Sequence, residues 1–274
     1  MKTLKYAFLG LVFIGLSCEE DDLFDSLLEY QQQLAEYYLD SEAALSNVYT
    51  IVDLTVRNPQ LMAGDTITTL GAQVYMNGGI INIDYGNGAT APDGITRSGL
   101  IMVNQTGDYT AENGVLDISF DNYVVDNNPV GGTLKVTNTG NNELTLDVQN
   151  FSANNDFSLT ANKTLKWNAG FDTDMDSDDE FTLSGTAVGT DSASNSVNTD
   201  ILTPLVFRRN CEYAVVSGVI DLGFDIDTAS SSPTGTLDFI ADDGINGCEN
   251  LVNVKLVDGE QEAEVLLQFD GFDL

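Results

Sequence analysis

The chain contains no histidine. That absence excludes a Ser-His-Asp or Cys-His nucleophile arrangement and any ordinary histidine-ligated zinc site. Basic residues are nearly as scarce: ten Lys and Arg stand against 43 Asp and Glu, a formal net charge of −33 over 274 residues. A surface of that sign repels phosphate, so nucleic acid and anionic membrane faces are excluded as partners, while cations, basic peptides and neutral glycans remain. The chain also has no Gly-x-Ser-x-Gly elbow and no phosphate-cradling glycine loop. Carboxylates are abundant, and for that reason no single pair stands out for glycoside cleavage. The chemistry reads as non-enzymatic.

Cysteine is rare as well, with only Cys18, Cys211 and Cys248, and no Cys-x-x-Cys spacing points to redox or metal chemistry. The one long apolar run, Ala7 to Leu16, is too short to span a bilayer as a stable helix. Lys2 and Lys5 precede it, and Ser17 then Cys18 follow it, so residues 1–17 read as a secretory signal with cleavage before the cysteine. This arrangement looks like a bacterial lipoprotein signal, in which Cys18 becomes the acylated N-terminus. Gly15 stands where such signals usually carry Leu. Three acyl chains anchor permanently, because each buried CH₂ contributes about 0.8 kcal/mol. The acids Glu19, Glu20, Asp21 and Asp22 resemble an export signal to the outer face of the outer membrane, and residues 18–25 read as an acidic tether. In an exported, oxidising setting Cys211 and Cys248 are left as one pair. A disulfide between them would contribute about 3 to 4 kcal/mol in the chain-entropy model; the alternative is two buried free thiols.

Apolar residues then recur at helical spacing, Leu27, Tyr30, Leu34 and Tyr37 followed by Leu45, Val48 and Ile51, which predicts an amphipathic helix over 26–57. Ser26 with Glu29 has capping-box spacing, a break is expected near Asp40-Ser41, and Asn58-Pro59 ends the helix. Packing of its apolar stripe on the following domain is the first expectation, ahead of a coiled-coil stripe or a membrane stalk. Residues 58–74 read as a connector. Beyond Val74 the period becomes two, as in Ile81/Ile83/Tyr85, Leu144/Leu146/Val148 and Val252/Val254/Leu256. Turn signals lie between these runs at Gly86-Asn87-Gly88, Asp126-Asn127-Asn128-Pro129, Thr139-Gly140-Asn141-Asn142, Asp242-Asp243-Gly244 and Asp258-Gly259, with a loop over Thr190 to Asp200. The fold class is therefore mainly β: residues 75–274 form an antiparallel sheet or β-sandwich-like domain preceded by the N-terminal amphipathic helix.

The segments Gly94-Ile-Thr-Arg97-Ser-Gly99, Ser119-Phe120-Asp121-Asn122-Tyr123, Val130-Gly131-Gly132-Thr133, Leu165-Lys166-Trp167, Leu202-Thr203-Pro204-Leu205-Val206 with Asn210-Cys211, and Gly247-Cys248-Glu249-Asn250 occur in this order. Together they resemble a family of uncharacterised, flavobacterial-type Bacteroidetes surface lipoproteins, over residues 80 to 257. The resemblance implies an exported, lipid-anchored β domain and carries over no catalytic residue. Family members commonly have a cysteine where this chain has Ala89, and its absence simplifies pairing of Cys211 with Cys248. Asp65-Thr66-Ile67, Asp191-Ser192-Ala193 and Asp227-Thr228-Ala229 also look like O-glycan acceptor triplets of that phylum.

One acidic run invites a metal. Asp172, Asp174, Asp176, Asp178 and Glu180 alternate as Ca²⁺ ligands would, although Ser177 and Leu183 replace the glycine and closing Glu of an EF-hand. A weak Ca²⁺ site on these five residues is the metal candidate, against a solvated loop. Otherwise no cofactor is expected. Tyr85, Tyr109, Tyr123, Trp167 and Tyr213 would either stack on sugars or complete the core, and the pair Arg208-Arg209 reads as local salt pairing. The expected protein is an outer-membrane, surface-exposed lipoprotein held in the bilayer by Cys18, with a structural, adhesive or ligand-binding role toward a glycan or protein. The alternatives are a glycan-binding subunit of an outer-membrane uptake system and a glycoside hydrolase. If Cys211 and Cys248 are bridged, neither reacts with an alkylator in the denatured, unreduced protein and both react after reduction, as mass spectrometry of the peptides would read.

Overall fold

A computed structural model describes residues 21–92, 94–154, 156–170, 176–209, 215–227, 229, 232–239 and 251–268. Helix α1 (Asp21–Val56) runs unbroken through Asp40 and Ser41, and it begins five residues before the expected cap at Ser26. Asn58 then caps the short helix α2 (Pro59–Met62): its side-chain oxygen accepts from the amide of Gln60 at 2.9 Å, and Pro59 occupies the first helical position, where a missing amide costs nothing.

Fifteen strands follow: β1 (Ile67–Thr69), β2 (Ala72–Asn77), β3 (Ile80–Thr90), β4 (Thr96–Thr106), β5 (Val115–Val125), β6 (Asn128–Pro129), β7 (Gly131–Gly140), β8 (Glu143–Asn154), β9 (Phe157–Ala169), β10 (Glu180–Asp191), β11 (Ser196–Arg208), β12 (Val215–Asp225), β13 (Thr234–Phe239), β14 (Leu251–Asp258) and β15 (Gln261–Gln268). All pair antiparallel in sequence order within one sheet, except that β6 is a short appendage on β5. The fold is thus mainly β with an N-terminal helix, and its apolar faces meet the helix instead of a second stacked sheet. Two strands, β1 and the β2 start, lie inside the stretch 58–74 that reads as a connector.

One-sided strands must cover their apolar face, and here α1 supplies the cover. The helix contacts β1, β8, β9, β10, β11 and β14, which lie at both ends and in the middle of the strand order, so the sheet curls around it. Leu34, Tyr38, Val48, Tyr49, Ile51 and Val52 on α1 are all buried, and from Ser41 to Val56 no helix residue is exposed. Each fully buried aliphatic side chain of this kind contributes about 1.5 to 3 kcal/mol relative to exposure. The strands meet it with their alternate residues, among them Ile81, Val103, Leu146, Leu159, Ile220 and Val254.

Turn chemistry fits the hairpins where left-handed residues are required. Asp126 and Asn127 at φ 46 and 71, and Asn141 and Asn142 at φ 55 and 59, give the two-residue geometry that matches strand twist. Gly86-Asn87-Gly88, read as a turn, lies instead within β3, where the pairing to β4 shifts register on both sides of Gly86. The stretch Thr190 to Asp200 is likewise no long loop: β10 reaches Asp191, β11 starts at Ser196, and Asp191 Oδ1 accepts from the amides of Ala193 and Asn195 at 2.9 Å each.

Gly86 faces Gly99 across the β3–β4 ladder, and Gly99 stands at φ 81 where a Cβ would lie 2.0 Å from the Asn122 carbonyl oxygen. Gly99→Ala should therefore destabilise by at least about 2 kcal/mol, from backbone strain plus the clash. Gly223→Ala, whose Cβ would meet nothing nearer than Asn198 O at 4.0 Å, should change stability far less in the same urea titration.

Candidate functional site

The densest polar arrangement lies inside, at the C-terminal end of α1. Asp53 and Arg57 are one helical turn apart, with Arg57 Nη1 3.3 Å from Asp53 Oδ2. Arg209, just past β11, donates from Nη2 to the same oxygen at 2.8 Å. Asp179, entering β10, receives both guanidiniums at its Oδ2, Arg57 at 3.6 Å and Arg209 at 3.7 Å, and its Oδ1 accepts from Trp167 Nε1 at 3.2 Å. Arg57 also lies 4.7 Å over the Trp167 ring and Arg209 5.4 Å over Phe181. The hydroxyls of Tyr49 and Tyr109 meet at 2.7 Å beside Asp53.

Two carboxylates facing two guanidiniums give this group no net charge, the condition under which ions are tolerated away from water. Both aspartate side chains are fully buried, Arg209 is 6% exposed and Arg57 18%. Burial pushes the Tyr49 and Tyr109 hydroxyls well above their usual range, and the charge of Asp53 adds to it. Burial likewise raises the Asp179 carboxyl, with Arg209 and Arg57 opposing. The folded protein thus binds this proton more tightly than the unfolded chain does. The stability it contributes is fully present below the ordinary carboxylate range and is lost as pH rises through the folded value.

Three further polar anchors line the helix. Tyr30 donates to Asp191 Oδ2 and accepts from Asn195 Nδ2 at 2.7 Å. Its hydroxyl is pushed up to about 12 by burial first and by Asp191 second. Glu42 accepts from Lys163 Nζ, which lies 5.9 Å over the Tyr38 ring. Asn47 accepts from Arg97 Nη2 at 3.0 Å, and that guanidinium is 6.0 Å from the Tyr85 ring centre. Each joins α1 to a different part of the sheet. In chemical terms all act as clamps between helix and sheet.

One depression, lined by Tyr109, Thr110, Asn138, Asn142, Leu144 and Trp167, encloses about 230 Å³ with open solvent included. That is below the roughly 300 to 1,000 Å³ of small-molecule sites. Tyr85, Tyr109, Tyr123 and Trp167 are buried and complete the core, while Tyr213 lies outside the described residues. Arg208 pairs with Glu180 at 3.0 Å and Arg209 with Asp53, so the adjacent pair serves two separate contacts.

Of the Ca²⁺ candidates, Asp172 and Asp174 lie outside the described residues, Asp176 and Asp178 bound a 3-10 turn, and Glu180 holds Arg208. Asp178 is exposed whereas its neighbour Asp179 turns inward. Among the described residues no three acids, cysteines or histidines are grouped to hold a metal. Cys18, Cys211 and Cys248 lie outside the described residues, as does Thr228; Thr66 and Ser192 of the acceptor triplets are exposed. No helix among the described residues is long and apolar enough to cross a membrane.

The residues missed from sequence are Glu42, Asp53, Arg97, Lys163 and Asp179. Two signals were available. Glu42 and Asp53 sit on the apolar stripe of α1 beside Leu45 and Tyr49, and Lys163 keeps the inward phase of Leu159, Ala161, Leu165 and Trp167. No family model, curated protein or solved structure matches the chain.

Asp53→Ala would leave Arg57 and Arg209 buried without the oxygen they share, and should cost about 3 to 5 kcal/mol. Lys166→Ala, which breaks a half-exposed 3.3 Å pair with Glu143, should cost under about 1 kcal/mol. Urea unfolding of both variants would read the contrast.

Proposed function

We propose that this protein is a surface-exposed outer-membrane lipoprotein with a non-catalytic structural, adhesive or ligand-binding role. The observation that carries the reading is the leader itself, Lys2 and Lys5, the apolar run, then Cys18 and four acids. Helix α1 begins only three residues after Cys18, so an acylated cysteine would tie the bilayer almost directly to the element around which the sheet is wound.

Charge supports a covalent anchor over adsorption. Of the eight bases beyond the leader, Arg57, Arg97, Lys163 and Arg209 are committed to the helix. Lys135, Lys166, Arg208 and Lys255 each pair with a surface acid. The exterior therefore offers little to an anionic headgroup. The role favoured is structural or adhesive, since Tyr85, Tyr109, Tyr123 and Trp167 contribute to the core, and the buried Asp53, Asp179 and Glu42 are tied to Arg57, Arg209 and Lys163. Glycan capture and glycoside cleavage stand behind it.

Metabolic labelling with an alkyne fatty acid, followed by detergent phase separation, tests the anchor. The wild type should take label and enter the detergent phase, and Cys18→Ser should do neither. Label retained by Cys18→Ser, or native material beginning at Met1, would overturn the proposal.

A further inference from the structure

The outer face of the sheet is polar, and its charges are arranged across strands by a consistent rule. Lys135 on β7 faces Asp117 on β5 and Asp147 on β8; Glu143 faces Lys166, Glu180 faces Arg208, and Lys255 faces Glu264. Other outward acids face neutral residues, as Asp225 faces Ser196 and Asp238 faces Asn253. Among the described pairings one breaks the rule: Asp200 on β11 lies directly opposite Asp221 on β12. Their flanking partners are Thr186 and Thr236, so no base stands beside either carboxylate in the ladder. Like charges directly opposed across a sheet are destabilising, and nothing within the described residues offsets the pair.

The exception coincides with two others. The β11–β12 register shifts between Ile201 and Thr203, which leaves Leu202 as an extra residue of a bulge, and bulges re-aim side chains. Leu202 is 60% exposed, more than any other exposed large hydrophobic side chain among the described residues. Pro204 is exposed two residues on, Val206 and Val219 are half-buried, and Asp238 lies across from Val219. The exposed Leu202 and Pro204, on either side of the exposed Thr203 that pairs with Val219, thus adjoin the acids Asp200, Asp221 and Asp238 in the ladder.

We propose that this bulge on β11 is a docking surface for a basic segment of another protein, a lysine or arginine bridging Asp200 and Asp221 while an adjacent apolar side chain covers Leu202. Charge complementarity selects the occupant. A second copy of this chain is a poor one, since its bases beyond the leader are already engaged with its own side chains. A glycan would leave the opposed carboxylates unneutralised. The inference rests on the binding reading of the domain and not on lipidation, so its failure leaves the anchor untouched.

The test uses the purified protein in detergent and a fluorescein-labelled octapeptide of alternating Lys and Leu, followed by anisotropy. Saturable binding is expected, weakened at least tenfold by Asp200→Asn/Asp221→Asn and several-fold by Leu202→Ser. The equal-charge control Asp65→Asn/Glu260→Gln, both exposed and remote in sequence, should bind as wild type. The Asp200→Asn/Asp221→Asn variant should also melt at a higher temperature, because it loses the repulsion. Equal affinity of wild type and that variant, absence of saturable binding, or equal binding of a Lys-Ser octapeptide would overturn the proposal. So would millimolar Ca²⁺ that displaces the peptide and raises the melting temperature of wild type alone, which would make the pair a cation site.

Discussion

The structure depends on enclosing a helix that is not wholly apolar. Asp53 and Glu42 lie on the buried face of α1, and a lone carboxylate there would be prohibitively expensive to desolvate. The sheet answers with Arg209 from the end of β11 and Lys163 from the middle of β9, each delivered from a strand far away in sequence. Apolar burial supplies most of the favourable free energy, but it is non-directional and leaves the helix free to slide or rotate. The ion pairs, with the Tyr30–Asp191 and Arg97–Asn47 contacts, remove that freedom because each is satisfied in one register only. Their role is specificity of docking more than net stability, as is usual when paired ions are buried.

This requirement explains how so few bases are distributed. Half of those beyond residue 17 are drawn to the helix, and the rest are spaced over the outer ladder so that each pairs with an acid. What remains outside is a carboxylate surface with short-range order: Asp117, Lys135 and Asp147 alternate in sign across three strands. A pattern of this kind lowers repulsion within the sheet while keeping long-range charge strongly negative. Among the described pairings the Asp200–Asp221 pair is the one place where the local order gives way, and it does so beside an exposed leucine.

Much of this was legible in the sequence because periodicity reports burial. The helical spacing of Leu34, Leu45 and Ile51 and the alternation of Ile81 with Ile83 identify the inward faces, and Asn141-Asn142 marks a hairpin by its tolerance of positive φ. What periodicity does not report is what a face packs against, so the choice between a second sheet and a helix stayed open until the topology closed it. Gly86-Asn87-Gly88 was misread for a related reason: glycine signals a special backbone geometry, and a bulge in a long strand requires it as much as a turn does. The buried cluster is harder. Lys163 keeps the inward phase of its strand, a local anomaly visible in the sequence, whereas its pairing with Glu42, 121 residues away, follows only from the closure of the sheet. Asp179 stood in a run of acids and nothing local distinguished the member that turns inward.

Among the described strands the sheet ends at β1 and β15, and these edges are blunted in different ways. The first, β1, has three residues, too few to template a long ladder, and it rests against α1. The last, β15, is longer and relies on charge, with Glu262 and Glu264 directed outward and Ala263, Val265 and Leu267 toward the core. An incoming strand of the same chain would bring its own glutamates alongside, so like-charge repulsion disfavours self-association where backbone hydrogen bonding would favour it. The same acidic composition that repels phosphate therefore also sets copies of this edge against one another.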